Sequence, residues 1–375
     1  MSYCRRASAP AAAEREAGAA LIVAIFIMAV AVSMMIALSL DSIIAARRAE
    51  NQVLADQAWL YLTGAEQLAA EMIRLRIKEL DEEESEAGTL RSLDVVGQFP
   101  TDDGWLSFTV EDLQGRFNLN TLRSDFVGAA AGSQSGDKEE APSDSESGTQ
   151  SDDKTAASAA AVAPGDVART VPQHRFIRLL RSVGETPMSE AEATEVLEAI
   201  QDWIDADVLE TGFGGAEQSH YAQQETPYRP ADGPLRDISE LRLIKGISAE
   251  LYNALRPLVT VWPVEGSAIN VASVGPIVMG ALYHNPDRLA EPLAPQSAEV
   301  LVAAVQEQEI TTMEDLLARP EWGPDPLPGK ALGASSEVFL VFSQAQVGRL
   351  RQGLQSVVLV KDNKTRILAR SLTML

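Results

Sequence analysis

The sequence predicts an α+β chain: a long N-terminal helix packed on a small antiparallel sheet, with a large, mainly helical domain inserted into the sheet region. Three observations carry this expectation. Residues 19–40 contain no charged side chain, and apolar residues at helical spacing continue from there to about Leu80. Short alternating segments occur at Trp105–Asp112 and again near the C-terminus. The stretch between them is marked mostly by helix caps.

The first 18 residues form a leader carrying Arg5, Arg6 and Arg15. The uncharged run of residues 19–40 would cover roughly 30 Å as a helix, the thickness of a bilayer's hydrocarbon core. A helix also satisfies every backbone polar group inside lipid, so this run reads as a transmembrane segment. A cleaved secretory signal has a shorter apolar region of about 7–15 residues, although Ala29 and Ala31 supply a small-x-small pair. A buried core helix would keep a polar stripe. The leader arginines outnumber Arg47 and Arg48 beyond the run, which mildly favours a cytoplasmic N-terminus. Over residues 41–88 the helix continues through Leu54, Ala58, Leu62, Ala65, Leu68, Met72 and Leu75. Gly64 costs it about 1 kcal/mol relative to alanine unless a packed neighbour offsets this. An acidic run to Glu86 and then Gly88 ends it.

Residues 89–125 hold the first part of the β region, where Leu106, Phe108 and Val110 alternate with Ser107 and Thr109. Residues 332–375 hold the rest: Val338–Ser343, Ser356–Val360, a tight turn at Asp362-Asn363, and Thr365–Ser371. Residues 126–167 form an acidic insertion. Its composition of Ala, Ser, Gly and carboxylates cannot bury enough surface to offset ordering entropy, so disorder is expected. Residues 168–331 read as the inserted helical domain. Ser189 is a candidate cap for a helix to Ile204, Asp237 and Glu240 have capping-box spacing, Gly246 can end that helix, and Ser248 can start another. Ser273 before Pro276, and Thr311 with Glu314, mark two further starts.

With 31 basic and 54 acidic residues the chain carries a net charge of −23, which opposes binding to nucleic acid or anionic lipid beyond the anchor. The one cysteine, Cys4, lies in the leader. His174, His220 and His284 are far apart and have no cysteines beside them; they read as surface or packing residues. No Gly-x-Ser-x-Gly elbow is present, and the stretch from Gly323 to Lys330 has one residue too many and three prolines for a phosphate loop. The chain is therefore expected not to be an enzyme.

A basic leader ending in Gly18, followed by Ala19-Ala20-Leu21 and an apolar helix, resembles the type IV pilin and type II secretion pseudopilin start. Four later segments narrow this: Asp112-Leu-Gln-Gly-Arg-Phe-Asn-Leu-Asn-Thr-Leu122, Asp202-Trp-Ile-Asp-Ala-Asp207, Ser239-Glu-Leu-Arg-Leu-Ile-Lys-Gly246 and Ile269-Asn270-Val271. They resemble the large minor pseudopilin of type II secretion, the general secretion pathway protein K family. Val23 stands where most pseudopilins have glutamate, a departure typical of that family; a carboxylate in lipid would need a partner. The resemblance implies a pilin-like fold with an insertion, prepilin peptidase cleavage between Gly18 and Ala19, and possible methylation of Ala19. It further implies a non-enzymatic role in initiating or capping the pseudopilus tip for export of folded periplasmic proteins. The implied partners are the I-type and J-type minor pseudopilins, other pseudopilins and the inner-membrane secretion platform. The implied location is a single pass through the bacterial inner membrane with the C-terminal domain in the periplasm. Two alternatives compete: an unprocessed membrane-anchored periplasmic adaptor, and a DNA-binding protein, because Leu243-Ile244-Lys245-Gly246-Ile247-Ser248 resembles a helix-hairpin-helix turn. Asp232, Asp237, Glu240 and Glu250 surround that turn, against Arg236, Arg242, Lys245 and Arg256, so nucleic acid is not expected.

A calcium site is also expected. Asp202, Asp205 and Asp207 gather at a helix C-terminus, where the macrodipole disfavours carboxylates. About 30 residues with little periodicity follow, holding Gly212, Gly214, Gly215, Glu217 and Asp232. Hard carboxylate oxygens without paired Cys or His suit calcium, though a solvated acidic loop is the competing reading. An EF-hand is excluded by Leu209 and Gly212, which occupy positions where that loop needs other residues. The family resemblance points the same way, although relatives more often carry asparagine where Asp232 stands. The expected ligands are Asp205, Asp207, Glu217 and Asp232, with Asp202 as a further candidate that could instead cap locally.

Overall fold

A computed structural model describes residues 12–82, 89–93, 95–123, 169–184, 186–283, 285, 288–323 and 332–374. The expected acidic insertion at 126–167 lies outside these residues, as do Cys4, His284 and the stretch 324–331. The helices in chain order are α1 (Ala12–Glu82), α2 (Val171–Ser182), α3 (Glu190–Ile204), α4 (Gln218–Tyr221), α5 (Ala249–Leu255), α6 (Pro276–Leu282), α7 (Pro295–Gln306) and α8 (Met313–Leu317). The strands are β1 (Val96–Thr101), β2 (Gly104–Asp112), β3 (Phe117–Asn118), β4 (Val259–Thr260), β5 (Ile269–Asn270), β6 (Leu332–Gly333), β7 (Val338–Val347), β8 (Leu350–Lys361) and β9 (Lys364–Met374).

Five strands form one antiparallel sheet in the order β1-β2-β7-β8-β9. The late strands are longer than their alternation alone predicts, and β1, which contains Gly97 and Pro100, was not expected. It is an edge strand, where proline is tolerated. Asp362 and Asn363 both adopt positive φ in the two-residue turn joining β8 to β9, as such hairpins require.

One face of the sheet is covered by α1. Phe108, Phe339, Val341, Val358 and Val360 pack there against Ala65, Ala69, Ala70 and Ile73. Alanines let the helix sit close to the sheet. They also displace the expected face: Ala58, Leu62 and Ala65 are buried, but Leu68 and Leu75 are 40 % and 45 % exposed. Gly64 has no packed neighbour, and a Cβ added there would meet open space. Residues 21–40 of α1 are exposed along their whole length, and this apolar stretch is long enough to cross a membrane.

The inserted domain lies between the paired strands β2 and β7 and starts earlier than the sequence suggests. Immediately after Asp112 the chain enters the helical domain, and Phe117, Leu119 and Leu122 join its core with Phe176, Leu180, Ile200, Trp203 and Leu241. Two short parallel pairs, β3 with β4 and β5 with β6, stitch the entry and exit of this domain. The segment resembling the protein K family from Asp112 onwards is a set of buried polar fasteners. Asp112 accepts from Asn270 Nδ2 (2.9 Å) and Ser336 Oγ (2.7 Å). Gln114 accepts from the Glu337 and Val338 amides. Asn120 donates to the Leu235 and Val261 carbonyls and accepts from the Leu235 amide.

The caps at Ser189 and Ser248, and the capping box of Asp237 with Glu240, form as the sequence predicts. Asp237 opens a 3₁₀ turn, Ile238–Leu243, rather than an α-helix. Gly275, not Ser273, caps α6, and Thr312 with Asp315 caps α8 one residue later than expected. The α2 helix was not anticipated, because its buried face carries Arg175 and Arg178.

Candidate functional site

The site is built where α3 ends. Asp202, in the last turn of α3, is fully buried, and its carboxylate accepts from the Thr211 amide (3.1 Å) and the Ala216 amide (2.7 Å). One turn earlier, Glu198 Oε2 accepts from the Gly214 amide (2.7 Å). From the opposite side, Lys245 Nζ donates to the carbonyls of Gly214 and Gly215, both at 3.0 Å. The segment 211–216 is thus drawn tightly onto α3. A Cβ at Gly214 would lie 2.2 Å from the Glu195 Cα, and one at Gly215 would lie 2.4 Å from the Asp202 carboxylate. Glycine is required at both positions by this close approach.

The fold so produced brings Glu217 back to the two aspartates that follow α3. Asp205, Asp207 and Glu217 each offer an oxygen, and the three atoms lie within 4.8 Å of one another. Asp205 is half-buried, Asp207 is exposed, and Glu217 is buried at 4 % exposure. Asp207 Oδ1 accepts from the Leu209 amide. Asp205 Oδ1 and Glu217 Oε1 are buried and have no hydrogen-bond partner among the described residues. Buried acceptors are nearly always partnered, so two of them facing a shared carboxylate cluster require an explanation.

The electrostatics point the same way. Burial, reinforced by Asp207 and Asp202, pushes the Asp205 carboxyl up to about 6. Burial, reinforced by Asp202 and Asp205, pushes Glu217 up to about 7. Like charges held together out of water resist ionisation, and a bound cation removes that resistance. The donors are all hard oxygens. Such a set fits calcium, and its crowding of carboxylates without imidazole or thiolate does not suit zinc.

Of the residues expected to bind metal, the structure groups Asp205, Asp207 and Glu217. Asp232 lines the same cavity as Asp205 and Asp207 but stands outside the three-carboxylate group; its backbone adopts a positive φ of 47°. Asp202 closes the loop through two amides, and burial raises its pKa. Glu198 and Lys245 were missed. Glu198 was detectable, because it precedes Asp202 by four residues and so shares its face of α3. Lys245 reaches the loop only through tertiary structure. Its ammonium is engaged by loop carbonyls, which removes the basic group that a DNA-binding hairpin would direct at phosphate.

Residues 115–264, which contain this site, match the family model described as type II secretion system (T2SS), protein K. Similar curated proteins include type II secretion system protein K of Aeromonas hydrophila, 29 % identical over 95 % of this chain and 97 % of the relative. The protein of the same description from Pseudomonas aeruginosa is 27 % identical over 95 % of this chain and 92 % of the relative. Among solved structures, a chain of the GspK-GspI-GspJ complex from the enterotoxigenic Escherichia coli type 2 secretion system has the same fold, with a TM-score of 0.62 at 21 % identity, covering 88 % of this chain and all of the other. With its long apolar-ended helix and its sheet interrupted by a helical domain, this chain is similar over 95 % of its length to type II secretion system protein K.

Proposed function

We propose that this chain works as a non-enzymatic minor pseudopilin that initiates or caps the tip of a type II secretion pseudopilus. The observation that carries this reading is the free face of α1. Val53, Leu60, Leu68 and Leu75 are all exposed, and at about 100° per residue they share one stripe opposite the sheet-facing alanines. Gly64 lies in the middle of this stripe with open space beside it. A helix that is apolar on two opposite faces has a second partner to find. The glycine lets another helix backbone come close.

The partners that fit this stripe are the long helices of I-type and J-type minor pseudopilins, in keeping with the GspK-GspI-GspJ complex to which this chain is similar. Prepilin peptidase would act between Gly18 and Ala19, which lie within α1. The apolar segment would then hold the chain in the inner membrane beside other pseudopilins and the secretion platform, with the folded domain in the periplasm. The helical domain inserted between β2 and β7 would crowd neighbouring subunits along a filament shaft, which favours the tip. Labelling the chain in sheared pseudopili tests this: signal at one end supports the reading, and even labelling along the shaft overturns it.

A calcium ion at Asp205, Asp207 and Glu217, with Asp232 beside them, is part of the same proposal. The ion would supply positive charge to two orphaned buried oxygens and fix the loop. Calcium should raise the melting temperature of the full chain, and Asp207→Ala should abolish the rise. No shift with calcium, and no metal by elemental analysis, would leave a solvated acidic loop.

A further inference from the structure

Lys245 is a basic side chain that holds the loop carrying the proposed ion ligands. It sits at the turn between the 3₁₀ segment Ile238–Leu243 and α5, next to Gly246, whose φ is +83°. That turn is fixed by bonds other than those to Gly214 and Gly215. The Ile244 amide bonds to the Leu241 carbonyl, Tyr228 Oη donates to the Leu243 carbonyl, and Ser248 caps α5. Lys245 reaches from this fixed turn to two successive carbonyls, Gly214 and Gly215, which stand three and two residues before Glu217. On the far side of the same segment Asp202 holds the Thr211 and Ala216 amides. Four backbone groups ahead of Glu217 are therefore held, two carbonyls by an ammonium and two amides by a carboxylate.

We propose that Lys245 is a positioning residue for the cation site: it sets the Gly214–Gly215 backbone so that the Glu217 carboxylate meets Asp205 and Asp207 before any ion arrives. This rests on the calcium reading above. Two effects of the lysine oppose one another. Its positive charge repels a divalent cation, while its hydrogen bonds preorganise a ligand. The charge is already directed at two carbonyls and shares its cavity with Glu192 and Glu195, so its repulsion is muted. Preorganisation acts on the covalently adjacent segment, and supporting residues of this kind typically affect metal affinity by about 10–100-fold. Positioning should therefore win.

The test is calcium titration by calorimetry on the full chain in detergent. Lys245→Met should weaken binding by about 10–100-fold without changing the number of ions bound. Lys245→Arg, whose guanidinium can donate to both carbonyls, should recover most of the affinity. Unchanged or tighter binding by Lys245→Met overturns the proposal, tighter binding identifying the ammonium as a repulsive charge alone. Absence of calcium binding by the unaltered chain overturns the calcium reading and this inference with it. A measurement on the unaltered protein guards against misfolding of the variant. Hydrogen exchange in EDTA should already show the Gly214 and Ala216 amides protected; free exchange that calcium alone suppresses would mean that the ion, not Lys245, shapes the loop.

Discussion

The Arg370 guanidinium donates two hydrogen bonds, both 2.8 Å, to the Glu66 carboxylate, tying the last strand of the sheet to the middle of α1. Glu66 is completely buried on the sheet-facing side of the helix, and Ser356 Oγ donates to it as well. The pair fixes the height of the sheet along the helix, and thus the distance between the membrane segment and the helical domain. Arginine is the end that reaches solvent, with its side chain 45 % exposed.

Removing the arginine therefore leaves a buried carboxylate with only a serine. Arg370→Met should destabilise the chain by about 3–5 kcal/mol, the usual cost of stranding a buried charge. Replacing both residues, Glu66→Gln with Arg370→Met, should recover part of that loss. Urea unfolding of the detergent-solubilised chain reads both values, and a single variant as stable as the unaltered protein would show that the pair does not anchor the helix.

Gly64 should separate folding from assembly. In the isolated chain Gly64→Ala should stabilise α1 by up to about 1 kcal/mol, since a methyl group there meets nothing. Gly64→Trp should fold equally well but lose association with partner helices. Normal association of the tryptophan variant would place the partner on another face.

Glu217 should make the metal-free protein sensitive to pH. Its pKa is raised in the fold, from 4.5 to about 7, so ionisation disfavours the folded state. This contribution is most favourable below pH 4.5 and is lost as the pH rises through 7; Asp205, pushed up to about 6, behaves the same way. In EDTA, Glu217→Gln should match the unaltered chain at pH 4.5 and exceed it by roughly 1–3 kcal/mol at pH 8. With calcium at pH 8 the order should reverse. Parallel stability curves for the two proteins between pH 4.5 and 8 would refute the assignment.

Asn120 explains why a polar motif is buried. Its amide bonds to Leu235 and Val261 across the helical core, so Asn120→Leu strands two carbonyls and an amide and should cost about 2–5 kcal/mol. Thermal unfolding measures this, and a loss under 1 kcal/mol would reduce the motif to surface decoration.

Features set by neighbours in sequence were the legible ones. The caps at Ser189 and Ser248 and the turn at Asp362-Asn363 depend on a side chain and a backbone group a few residues away. Part of the carboxylate cluster was legible too, because a long irregular segment rich in acidic residues stands out, although Asp232 at its far end stands outside the group. Tertiary structure decided the rest. The buried face of α1 follows alanines and Glu66, so Leu68 and Leu75, which a hydrophobic pattern assigns inward, are left outside. Arg178 lies buried because the Ala281 and Leu289 carbonyls receive its guanidinium, and no periodicity could announce that. Lys245 looks like part of a phosphate-binding turn until the loop it holds is seen.

The central claim, a tip subunit joined to minor pseudopilins through α1, is tested most directly by purifying the full chain from membranes in which I-type and J-type minor pseudopilins are co-expressed. The account predicts a stable complex containing all three proteins, lost in Gly64→Trp. Recovery of the unaltered chain as a solitary monomer would contradict it and favour an anchored adaptor.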